Sequence, residues 1–90
     1  MKRMKLTFKR NTGLKTPEWL LLLSYDVRVW FDNKEDYTIE DLHRFIISHI
    51  DSLGRQHYIR SAVTSYITED RKGIVIMRGN AVVQTYFLQS

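Results

Sequence analysis

The residues in this chain that could do chemistry are few, and their spacing decides what they can do. His43, His49 and His57 are the three histidines. On a helix His43 and His49, six residues apart, point about 240° away from each other around the axis, so they cannot grip one metal as an i,i+4 pair does. Asp32, Glu35, Asp36, Glu40 and Asp41 gather into an acidic cluster. Paired carboxylates can bind a divalent cation or exchange protons, but acids also collect before and inside the first turn of a helix, where they complement its positive end. The second reading fits their position ahead of an apolar periodic stretch. Cysteine is absent, which removes thiolate ligands, cysteine nucleophiles and disulfides together. No glycine-rich phosphate loop or nucleophile elbow occurs. The sequence therefore predicts no enzyme, no metal and no cofactor.

The basic residues are arranged more tellingly. Lys2, Arg3, Lys5, Lys9, Arg10 and Lys15 give residues 1–17 six positive charges and no negative one, while the chain as a whole carries +4. The remainder is therefore −2, and the positive field sits on an N-terminal arm or edge strand. Lysines on an outer strand also deter edge-to-edge aggregation. A second group of candidates is spread over predicted strands. Tyr58, Arg60 and Tyr66 share one phase of the alternation, opposite Ile59, Val63 and Ile67. One face is then apolar, and the other offers aromatics with a cation, a surface on which bases stack. Arg28 and Trp30 are expected to extend that face from a neighbouring strand.

These groups need elements to hold them. Ninety residues make one domain, since so short a chain cannot divide its burial between two cores. Lys5 to Lys9 alternates polar with apolar and reads as a strand. From Trp19 to Phe31 every odd position is apolar, which predicts a second strand. Thr38 and Asp41 form a capping-box pattern ahead of Ile39, Leu42, Phe45, Ile46, Ile50 and Leu53, the stripe of an amphipathic helix ended by Gly54. Glu40 and Arg44 are spaced for an i,i+4 pair on that helix. His57 to Thr68, Ile74 to Arg78 and Ala81 to Leu88 then read as three strands, joined by a connection ending in Gly73 and by a tight turn at Gly79-Asn80. The expectation is an α+β fold of order β-β-α-β-β-β, an antiparallel sheet of about five strands with one amphipathic helix on one face.

Lys72-Gly73-Ile74-Val75-Ile76-Met77 resembles, in its first two positions, the glycine-aromatic motif of RNA-recognition domains, with Ile74 and Ile76 standing where that motif has its stacking aromatics. The same stretch through Arg78 is similar to a strand of small ribonuclease P protein subunits, which continue into a helix where Gly79-Asn80 here leads to a strand. Neither comparison assigns a family.

Composition and pattern together predict a small cytoplasmic binding module that uses Lys2, Arg3, Lys5, Lys9, Arg10, Arg28, Tyr58, Arg60 and Tyr66 to hold RNA or DNA. The alternative is a protein–protein inhibitor or adaptor working by direct contact, as phage-type inhibitors of host defence or nucleic-acid machinery do, in the host cytoplasm if viral. No apolar run is long enough for a membrane span. Homodimerisation through edge strands is expected to be open to it.

Overall fold

The computed structural model describes residues 5–10, 18–57 and 63–89, the side chains of 53–57 excepted. The elements are β1 (Lys5–Arg10), α1 (Glu18–Asn33), α2 (Ile39–His57), β2 (Val63–Ile67), β3 (Gly73–Arg78) and β4 (Ala81–Gln89). The fold is α+β, as expected, with one antiparallel sheet of order β1-β4-β3-β2. Among the described residues it holds four strands and two helices, where about five strands and one helix were expected. The stretch predicted as a second strand is α1.

The reason lies in the arithmetic of the alternation. Every second apolar position from 19 to 31 contains an i,i+4 series, and on a helix Trp19, Leu23, Val27 and Phe31 line one side. All four are buried, together with Leu20 and Ser24 beside them. The intervening members of the alternation, Leu21, Tyr25 and Val29, turn outward. Sixteen residues without glycine or proline also exceed an ordinary strand and suit a helix.

α2 begins as its sequence predicts. The Thr38 backbone N–H donates to Asp41 Oδ2 at 3.0 Å and the Asp41 N–H donates to Thr38 Oγ1 at 3.1 Å, a reciprocal cap. These bonds, the Thr38 N–H first, hold the Asp41 carboxyl below the ordinary carboxylate pKa. The helix runs through Gly54 to His57, so that glycine does not end it and His57 belongs to the helix. Arg44 pairs with Asp41 at 2.8 Å, not with Glu40, whose partner is Arg71 from the β2–β3 connection.

Both helices lie on one side of the sheet. The strand register aligns Ser65, Ile76, Gln84 and Arg10 across all four strands, and α1 and α2 reach this row through Ser24–Gln84 and His43–Ser65 hydrogen bonds. The next row toward the core is Ile67, Ile74, Tyr86 and Phe8, followed by Leu88 with Leu6. A bulge opposite Ile76 and Met77 lets consecutive Val83 and Gln84 both be buried. In the β2–β3 connection Arg71, not Gly73, takes the left-handed conformation, at φ 58. Gly73 opens β3, where an added Cβ would lie 3.1 Å from the Tyr86 carbonyl oxygen. Gly79 starts the β3–β4 turn at φ 62, as its sequence predicts.

Candidate nucleic-acid interface

Among the described residues no helix lies on the far side of the sheet. Strand alternation places Tyr66, Val75, Thr85 and Lys9 in one row of it, Gly73, Phe87 and Thr7 in the next, and Gln89 with Lys5 beyond. Tyr66 stands 48% exposed on β2, and Phe87 is half-buried on β4 beside Gly73, which has no side chain to shield its ring. Val75 beside Tyr66 is buried, so the two aromatic groups stand on neighbouring rows of this side. Lys5 and Lys9 are both exposed along the β1 edge. The surface thus joins π-faces to a row of ammonium groups, the two components that hold a single strand by base and by phosphate.

The charge is divided between the layers. The four strands contain Lys5, Lys9, Arg10 and Arg78 and no acidic residue, a balance of +4. Residues 18–57 contain eight acidic residues (Glu18, Asp26, Asp32, Glu35, Asp36, Glu40, Asp41 and Asp51) against Arg28, Lys34, Arg44 and Arg55, a balance of −4. The near-neutral body seen in sequence is therefore a positive sheet backed by a negative helical layer. A polyanion approaching the open face meets no carboxylate on any strand.

The expected site residues divide accordingly. Lys5, Lys9 and Tyr66 share the open face. Lys2, Arg3, Tyr58 and Arg60 lie outside the described residues. Arg10 falls on the helix side, in the same row as Gln84, with its guanidinium 5.3 Å from the centre of the Phe8 ring. Arg28 belongs to α1 and donates to the Leu6 carbonyl oxygen at 2.9 Å, tying the helix to β1. Trp30, expected on the same face, instead stacks on Phe45 at 5.3 Å between the helices. Within the N-terminal stretch 1–17, Lys5–Arg10 is an edge strand, with Leu6 buried opposite Leu88, and the rest of that stretch lies outside the described residues. Sequence reasoning missed Phe87, whose place on the open face follows only from the β4 register. Ile74 and Ile76 are buried under the helices, so β3 offers Val75 and Met77 to the open side.

The polar groups elsewhere serve packing. Gln84 Nε2 donates to Ser24 Oγ at 2.7 Å, Ser24 Oγ donates to the Leu20 carbonyl at 2.9 Å, and Tyr86 Oη lies 3.4 Å from Ser24 Oγ. Burial pushes the Tyr86 hydroxyl up to about 12, with the Ser24 contact and the nearby Arg10 charge pulling the other way. His43 Nε2 lies 3.0 Å from Ser65 Oγ, and His49 Nε2 lies 3.5 Å from Asp26 Oδ2. Among the described residues no three histidine or acidic side chains converge on a point where a metal could bind. No helix among them is long and apolar enough to cross a membrane.

No family model, curated protein or solved structure matches this chain.

Proposed function

We propose that the protein is a non-catalytic binding module whose open sheet face takes single-stranded nucleic acid. The observation that carries this reading is the separation of charge between layers, a sheet without carboxylates in front of an acidic helical layer. Tyr66 and Phe87 supply the stacking groups, and Lys5 and Lys9 hold the backbone, joined from the preceding sequence by Lys2 and Arg3. Bases reach such a face only when they are unpaired, so single strands are the favoured form.

Fluorescence anisotropy with labelled single-stranded RNA, single-stranded DNA and duplex DNA tests this. Four neutralised phosphates give a log–log salt slope of roughly −3 on a single strand. Tyr66→Ala weakens binding by about 5- to 150-fold, the measured range for losing one stacked base. An absence of binding at low salt removes the reading. Equal affinity for duplex and single strand, unchanged by Tyr66→Ala, removes its stacking half.

A second reading, an adaptor or inhibitor acting by protein contact, has its own support. Leu21, Leu22, Tyr25 and Val29 form an exposed apolar stripe along α1, set in the acidic layer. Such a stripe suits an apolar protein surface rimmed with basic residues.

A further inference from the structure

The open face is not uniform. Among the strand residues its cations stand on β1 alone: Lys5 and Lys9 belong to it, while Arg10 and Arg78 fall in helix-side rows, opposite Gln84 and Val63. Neither lysine holds an ion pair or hydrogen bond among the described residues. The two aromatic groups are placed unequally with respect to them. Phe87 pairs with Thr7, so Lys5 and Lys9 are its diagonal neighbours, each about 7–8 Å away and on opposite sides along the strand. Tyr66 is on β2, with β3 and β4 between it and β1. Strand spacing puts it about 14 Å from Lys9 in its own row and about 12 Å from Phe87 in the next.

We infer that the primary subsite of this face is the β1–β4 pair, taking one nucleotide unit with its base on Phe87 and the phosphates on its two sides at Lys5 and Lys9. The inference rests on the single-strand reading of the open face and adds an order of binding to it. Gly73 on one side of Phe87 and Thr7 on the other are small, so the ring is the largest group of its row. The two lysines lie four residues apart on one strand, about 13 Å, so the nucleic-acid backbone follows β1 rather than crossing the sheet. Ammonium groups on flexible four-carbon stems reach inward from both ends to the phosphates flanking one base. Tyr66 is the secondary subsite, far from either lysine. Stacked bases follow one another at about 3.4 Å, so a base on Tyr66 is not the stacked neighbour of the base on Phe87, and engaging both rings takes a longer strand.

Double-mutant cycles on the full chain, read by fluorescence anisotropy with a labelled single strand of about 12 nucleotides, test this. Phe87→Leu and Tyr66→Leu each replace a ring with aliphatic bulk. Phe87→Leu is expected to weaken binding by at least about fivefold, and by more than Tyr66→Leu does. Lys5→Gln and Lys9→Gln each reduce the log–log salt slope by about 0.7. Combined with Phe87→Leu, either lysine change falls short of the product of the separate losses by more than about twofold, whereas with Tyr66→Leu the losses multiply within that limit. Circular dichroism checks that the variants are folded. Ultraviolet cross-linking of the unaltered chain reads the same point without substitution, with the cross-link expected on the peptide carrying Phe87 ahead of that carrying Tyr66. No binding by the parent removes the single-strand reading itself. Binding in which Tyr66→Leu costs as much as Phe87→Leu, in which the lysine losses multiply with both rings alike, or in which the cross-link favours Tyr66, leaves that reading and overturns the subsite.

Discussion

α1 and α2 lie side by side on one sheet and bury comparable apolar rows, yet their outer faces differ. α2 buries Ile39, Leu42 and Ile46 and turns Glu40, Arg44, Ser48 and Asp51 away from the core. Apart from Ile47, which is 48% exposed, its described apolar residues are accounted for by the sheet beneath it and by α1 beside it. α1 buries Trp19, Leu20, Leu23, Val27 and Phe31 and also exposes Leu21, Leu22, Tyr25 and Val29. A helix that is apolar on both sides is ordinarily covered on both sides. The surplus on α1 lies outside the core, and the difference separates residues packed in the core from residues left at the surface.

That separation is sharpest at two adjacent leucines and their counterpart on α2. Leu23 is 0% exposed in the centre of the core, as is Ile46. Leu23→Ala and Ile46→Ala are each expected to cost about 2–5 kcal/mol in urea unfolding, the transfer loss plus the cavity left behind. If Leu23→Ala is tolerated while Leu22 substitutions unfold the chain, the two faces of α1 have been assigned the wrong way round.

Next in size is the contact that seats α1 on β4. Tyr86 keeps its proton in the folded state to about 12, whereas an unfolded tyrosine ionises near 10. The folded pKa is the higher one, so the contribution is fully present below pH 10 and is lost as pH rises toward 12. The loss amounts to roughly 2–3 kcal/mol at 1.36 kcal/mol per unit. Tyr86→Phe should flatten this part of the stability curve relative to the parent. An identical alkaline decline in both proteins would show that Tyr86 does not titrate differently on folding. Ser24→Ala strands the buried Gln84 amide that donates to Ser24 and is expected to cost about 1–3 kcal/mol at neutral pH.

At the start of α2 the effect is smaller. Thr38→Ala removes one half of the reciprocal cap and is expected to cost about 1 kcal/mol. Asp41 provides the other half with a pKa lowered in the folded state, so its contribution is present above the ordinary carboxylate value of 3.8 and lost as pH falls below it. Acid titrations of the parent and Asp41→Asn should therefore converge below about pH 4. Curves that stay parallel would remove the charge from the cap.

Local chemistry made much of this fold legible. The Thr38–Asp41 cap, the turn at Gly79 and the β3 and β4 strands follow from residues within a few positions of one another. What escaped is non-local. Arg28 reads as a surface cation until β1 is known to run beside α1, and Arg10 reads as part of the basic surface until its register with Gln84 turns it to the helix side. Phe87 is placed by the same pairing. Arg71 could not be told from its neighbours, because its left-handed φ is set by a connection in which Thr68 Oγ1 and the Lys72 N–H both donate to Asp70. Among the described residues α1 is the one whole element read as the wrong type, and His57, read as a strand residue, closes α2. The misleading alternation of α1 was completed by Leu21, Tyr25 and Val29, the residues the core does not use.

The smallest expected stability effect therefore carries the most information about function. Leu22 is 39% exposed at the middle of the outward stripe, and Tyr25, one turn on, is 69% exposed. In the isolated chain Leu22→Ser and Tyr25→Ser should each move stability by no more than about 0.5 kcal/mol, as exposed substitutions do. The consequence belongs to binding: if the helical layer docks a protein, the same changes weaken that complex while single-stranded nucleic acid still binds the sheet. A loss of several kcal/mol from Leu22→Ser would mean that the stripe is already covered within the chain, and the contrast between α1 and α2 would then be one of packing alone. Near-neutral stability joined to unchanged oligonucleotide affinity would keep the two faces separate, one available to a polyanion and the other to a protein.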